Sequence, residues 1–310
     1  MKILIQVTLT AISFLLISCS SETVLRKELP QIFPDYIGVT VPAGVAPLNF
    51  DLSDEYTKVY ARINDGHGRS ITAEGRYAGF NMKQWHELTE ANVGDTLSVT
   101  VAGFKDGRWE QFRTFMIFVS RYPLNDYGMT YRKFAPGYET YSKIGIYQRN
   151  IHNFDETPIL EGTLLPGQCM GCHTANATDP EQFLFHLRGK HGATVVQQQG
   201  KRKWLETKTE KTIGRTAYSY WHPSGEYIAH SNNIIHQLFW TGNNERYIEV
   251  YDEASDVIVH NVKTDEFLLN PLLRTEDFET YPVFSSDGKT LYFCSAPKVN
   301  VPAQAEDLHY

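Results

Sequence analysis

Cys169-Met170-Gly171-Cys172-His173 is the group of residues in this chain whose types and spacing most directly imply chemistry. Two thiols three residues apart, followed at once by an imidazole, match the attachment signature of c-type haem. The thiols reach the two vinyl groups on one porphyrin edge, and the adjacent imidazole falls under the iron. On this basis Cys169 and Cys172 are expected to form thioethers to one covalent haem c, and His173 to be an axial iron ligand.

A second axial ligand would come from His or Met, or the position would stay open for chemistry. Asp179-Pro180-Glu181 has the pattern of a helix start, with a capping carboxylate and proline in the first turn. That spacing predicts a short helix ending at Gly189, which makes His186 the first candidate and His191 the second. Met116 and Met129 are expected in the core, and His67, His222 and His230 in structural or solvent-facing positions. Three other uses of the cysteine pair compete with this one. Structural zinc needs four ligands, and Cys294 stands alone in a predicted strand as an expected inert, buried thiol. A thioredoxin-like dithiol needs a helix start in a βαβ setting, and a disulfide across so tight a loop is strained.

The elements that position these residues read as mostly β. Residues 1–19 look like a lipoprotein signal peptide: Lys2, an apolar run from Ile3 to Ile17, and Leu16-Ile17-Ser18-Cys19 as the cleavage pattern. Cys19 is then the lipidation site, and the expected location is the outer membrane, on the periplasmic or cell-surface side. Residues 20–35 are polar and suit a tether. Residues 36–121 are expected to form a β-sandwich, with strand patterns punctuated by Asn64-Asp65-Gly66 and Lys105-Asp106-Gly107 and one helix from Met82 to Ala91 behind an Asn81 cap. Residues 122–216 read as a connecting segment that holds the cysteine pair. Net charge is −7 without a basic block, which argues against nucleic acid as a partner.

Residues 217–310 contain an internal repeat, Trp221 to Ala229 against Phe284 to Tyr292, in which an aromatic precedes a Gly turn and a strand. This repeat resembles that of TolB-type, WD40-like β-propellers. Together with Tyr131-Arg132, Pro136-Gly137-Tyr138-Glu139, Ile144 to Arg149, the CxxCH run, His186 to Gly189 and Trp221 to Gly225, it makes the chain similar to Bacteroidetes TolB-like lipoproteins labelled cytochrome c biogenesis-related. The resemblance implies an incomplete C-terminal propeller offering a docking face. The expected function is then single-electron transfer between the haem and a periplasmic or membrane redox protein. A haem enzyme with an open sixth position, or a TolB-like scaffold whose CxxCH handles thiols or metal, are the other readings.

Overall fold

The computed structural model describes residues 23–125, 128–134, 144–164, 169–189, 191–239 and 248–298. The expected signal peptide and Cys19 lie outside them. The chain divides into two compact units, one reaching Leu124 and the other starting at Asn125. Among the described residues no helix is long and apolar enough to cross a membrane.

The first unit contains β1 (Thr23–Leu25), β2 (Ile32–Phe33), β3 (Thr40–Val41), β4 (Asn49–Leu52), β5 (Lys58–Asn64), β6 (Ser70–Gly75), β7 (Ala78–Gly79), α1 (Met82–Ala91), β8 (Thr96–Lys105), β9 (Arg108–Gln111) and β10 (Phe115–Val119). Strand β8 organises a seven-stranded sheet, pairing with β5 along one edge and with β9 and then β10 along the other. Alternation of apolar and polar residues along β5, β6 and β8 puts Val59, Ala61, Ile63, Ile71, Leu97, Val99 and Val101 inside. A second sheet, β2-β4-β7, and the buried face of α1 (Trp85, Leu88) join the same apolar cluster. The Asn81 side chain caps α1 by accepting from the Gln84 amide. Asp106 and Gly107 both adopt positive φ in the two-residue turn between β8 and β9, the geometry that Asp-Gly favours in hairpins.

The segment expected as a tether is built into this unit. Strand β1 adds in parallel to β9, and Arg26 forms two hydrogen bonds with the buried Glu110 carboxylate, at 3.1 and 2.6 Å. A buried carboxylate needs such a partner, and Arg26 supplies it, so the chain is fastened from Thr23 onward.

The second unit is a series of antiparallel meanders. The first consists of β11 (Gly128–Lys133), β12 (Gly145–Asn150) and β13 (Glu156–Glu161); the second of β14 (Cys169–Asn176), β15 (Asp179–Arg188), β16 (Ala193–Gln198) and β17 (Lys201–Leu205). The third comprises β18 (Thr216–Trp221), β19 (Tyr227–Phe239), β20 (Ile248–Asn261) and β21 (Glu266–Leu268), and β22 (Phe278–Phe284) with β23 (Leu291–Ala296) form a final pair. Residues 122–216 are therefore not a connector: they hold two sheets.

The helix expected from Asp179 is strand β15. Phe183, Phe185 and Leu187 point into a cluster with Ile146 of the first meander, while Leu184 points into one with Trp221 and Ile228 of the third. A strand buried on both faces reads as a continuous apolar run, which periodicity cannot distinguish from a buried helix. Asp179 does cap locally, accepting from the Glu181 amide, but the chain beyond it is extended.

The expected C-terminal propeller is not formed. No sheet among the described residues curls or closes, and each meander ends its hydrogen-bond ladder before the next begins. What the sequence repeat encodes is a hairpin turn. Gly225 and Gly288 take φ of 72° and 70°, and their amides donate to His222 and Ser285 carbonyls at 2.8 and 2.9 Å. The two copies touch, since His222 Nε2 donates to the Gly288 carbonyl at 3.0 Å and its ring packs on Phe284.

Because β15 is enclosed on both faces, Leu184→Ala and Phe185→Ala should each destabilise the protein by about 2–5 kcal/mol despite being neighbours in sequence. Urea titration followed by far-UV circular dichroism measures this. A near-neutral effect at either position would mean that one face of the strand is open.

Candidate functional site

Strand β14 is the edge of its sheet, and it carries the whole cysteine motif. Its register with β15 pairs Met170 with Leu187 and Gly171 with His186, then breaks and resumes at Thr174 with Leu184. Cys172 and His173 fall in this bulge, where two residues are left without ladder partners. Cys172 has φ of 51°, in the left-handed region that non-glycine residues seldom occupy. A bulge re-aims side chains and interrupts pairing, which is how bulges serve binding sites in sheets.

Met170 is fully buried in the cluster between the first two meanders, so it anchors the strand while the two cysteines stay partly exposed. Cys169 and Cys172 are free thiols, both partly exposed. Arg188 Nη2 donates to Cys172 Sγ at 3.9 Å. At Gly171 a Cβ would stand 3.1 Å from Arg132 Nη1, so the small residue inside the motif leaves room for this second guanidinium.

His173 is partly buried; its ring packs on Phe183, and its Nε2 is 2.9 Å from Thr130 Oγ1. Burial lowers its pKa to about 4, which makes the imidazole neutral at physiological pH, the state that ligates metal. Two free, accessible thiols beside a neutral imidazole meet the chemical needs of thioether formation and iron ligation. One change is required: Nε2 must leave Thr130 before it can face a metal.

His186 is elsewhere than expected. It lies on β15, almost wholly buried, with Nδ1 2.8 Å from Thr194 Oγ1 and Nε2 3.0 Å from Ser219 Oγ. Burial, with a smaller contribution from Arg188, lowers its pKa to about 3. With both nitrogens engaged inside the core, it has no nitrogen facing the cysteine pair. Ser219 continues to His230 Nδ1 at 2.6 Å, and Thr194 continues to Thr216 and Thr207, giving a buried polar chain across two sheets. His191 is exposed on the turn after β15. Met116 and Met129, expected in the core, are 47% and 50% exposed on outward-facing strand positions. Cys294 is exposed on β23, not buried, because no further strand covers that face among the described residues. No group of three or more His, Cys, Asp or Glu converges on a metal position among the described residues, so a zinc site at the cysteine pair would lack its full set of protein ligands there.

Sequence reasoning missed Arg132, Arg188, Thr130 and the tyrosines Tyr218 and Tyr281. Thr130 and Arg132 come from β11, Arg188 from β15 and Tyr218 from β18, with Tyr281 of β22 against Tyr218, and only the long-range register brings them near.

Comparison of the chain with protein-family models, with curated proteins and with solved structures returned no match. The resemblance to TolB-like propeller lipoproteins is therefore withdrawn, on this result and on the absence of a closed sheet among the described residues.

The neutral, buried histidines predict acid sensitivity. The pKa of His173, His186 and His230 lies below that of an unfolded histidine, near 6.5. Between those values the unfolded chain binds more protons. Stability is thus complete above about pH 6.5 and is lost as pH falls toward the folded pKa values, by up to about 1.4 kcal/mol per pH unit for each histidine. The urea midpoint should fall between pH 6.5 and 4, and His186→Gln should flatten that fall. An acid slope unchanged by the substitution would show that His186 does not titrate on unfolding.

Proposed function

We propose that this chain is an exported, lipid-tethered electron carrier with one haem c, held by thioethers at Cys169 and Cys172 and ligated by His173. The observation that carries the reading is the complete CxxCH run on the edge strand of its sheet, with both thiols free and partly exposed and the histidine held neutral. Export fits the same chemistry, because the N-terminal sequence ends in a lipoprotein cleavage pattern at Cys19. The lipid would tether the protein to the outer membrane, where a periplasmic or membrane redox protein would be its partner.

Attachment needs no oxidant. The Cys169 and Cys172 thiols would hold the group as thioethers, each sulfur on one vinyl carbon and each thiol proton on the other. Met170, between the two cysteines, is locked in the core and anchors the strand that carries them. Phe183 backs the His173 ring, whose Nε2, now 2.9 Å from Thr130 Oγ1, would be the nitrogen offered to the iron. Arg188 donates to Cys172 Sγ, and Gly171 leaves room for the Arg132 guanidinium beside the motif. When bound, the haem supplies reversible one-electron chemistry.

Expression with a cytochrome c maturation system and a reduced pyridine haemochrome spectrum on denatured protein test the proposal. One c-type haem per chain is expected, and none in Cys169→Ala/Cys172→Ala. Wild-type protein without haem would overturn the reading and move attention to thiol or metal chemistry at the pair.

A further inference from the structure

The bulge that carries Cys172 occurs three times among the described residues. In β18 the ladder breaks between Ala217 and Tyr220, and in β22 between Thr280 and Val283, each break again leaving two residues without partners. The first of each pair is left-handed: Tyr218 has φ of 41° and Tyr281 of 51°, against 51° for Cys172. Strands β14, β18 and β22 are the first strands of successive sheets and run beside one another. The bulges therefore align.

Their side chains divide in the same way. The second residue of each pair turns inward: His173 to Thr130, Ser219 to His186 and His230, and Pro282 to a buried position. The first residue turns outward. The Tyr218 and Tyr281 rings lie 4.7 Å apart, tilted at 52°, and are 40% and 50% exposed. Tyr281, Cys172 and Asp252 are electrostatic neighbours of the Tyr218 hydroxyl; partial burial, reinforced by these groups, raises its pKa.

A bulky aromatic at positive φ is costly, and such strain collects at functional sites. Here two such residues form a half-exposed aromatic pair that the apolar clusters do not use, next to the free, partly exposed Cys172 thiol. A porphyrin fixed at Cys172 would expose a wide apolar face that needs covering.

Resting on the haem reading above, we propose that Tyr218 and Tyr281 form the aromatic wall of the haem site, covering the porphyrin from the bulges next to Cys172. The wall sets how much water reaches the ring, and burial is one of the terms that fixes haem potential.

The test is Tyr218→Gly/Tyr281→Gly in the haem-loaded, full-length protein, since glycine suits the left-handed backbone and removes only the rings. Tyr218→Phe/Tyr281→Phe is the comparison. The glycine pair should keep one haem per chain by pyridine haemochrome, lose at least half of the Soret circular dichroism amplitude, and show a more negative midpoint potential. The phenylalanine pair should match wild type in both. Loss of haem loading in the glycine pair alone, at an unchanged urea midpoint, supports the wall equally. A loaded glycine pair with wild-type Soret dichroism and potential overturns the wall while leaving haem attachment intact. Wild-type protein that takes up no haem overturns both.

Discussion

The enclosure of β15 between two neighbouring sheets is the constraint on which the second unit depends. Phe183, Phe185 and Leu187 on one face and Leu184 on the other commit this strand to two separate apolar clusters. Sliding it by one residue would exchange the two sets and put His186 into the wrong cluster. Register is therefore fixed throughout β14–β17, and it decides where the cysteine motif sits. Met170 has to oppose Leu187, so Cys169 and Gly171 take the alternate positions, and the thiols reach the strand edge.

A sheet with both faces covered has no room for a ligand within it. Chemistry must then happen at an edge, and the chain needs a way to turn side chains out of an otherwise strict alternation. The bulge at Cys172-His173 does this: two consecutive side chains leave the pleat in different directions, the imidazole toward Thr130 and the thiol toward Arg188. In an unbroken strand the two would also lie on opposite faces, but one of them would enter an apolar cluster. Use of the same device at Tyr218 and Tyr281 makes the edge a continuous surface assembled from three sheets.

How much of this was legible in the sequence depended on the range of the interaction. Asn81 before an amphipathic stretch located α1, and Asp106-Gly107 located a two-residue hairpin, because capping and turn chemistry are local. The CxxCH run was equally plain. The helix expected after Asp179 failed because its start signal is local, whereas the enclosure that makes Phe183 to Leu187 a strand comes from residues as distant as Ile146 and Trp221. The polar stretch after Cys19 read as a tether because nothing near it shows that Glu110 lies waiting for Arg26. The repeat at Trp221 and Phe284 was real as a turn, and misleading as a ring, since turn chemistry says nothing about whether successive sheets close.

The buried chain from Thr207 through Thr216, Thr194, His186 and Ser219 to His230 shows what the enclosure costs and what it secures. An apolar contact would stabilise the joint between the second and third meanders without directional preference. Hydrogen bonds tolerate only one alignment, and each uncompensated donor or acceptor left by a slip would cost about 1–3 kcal/mol. His186 bonds to Thr194 within its own sheet and to Ser219 in the next, and Ser219 is the inward residue of the second bulge. The polar chain thus ties the bulge in β18 to the register of β15, and the same register sets the bulge in β14. Alignment of Cys172 with Tyr218 results from packing that neither residue takes part in. A substitution deep in the interior at Ser219 would therefore disturb the exposed edge, even though no side chain at that edge had changed.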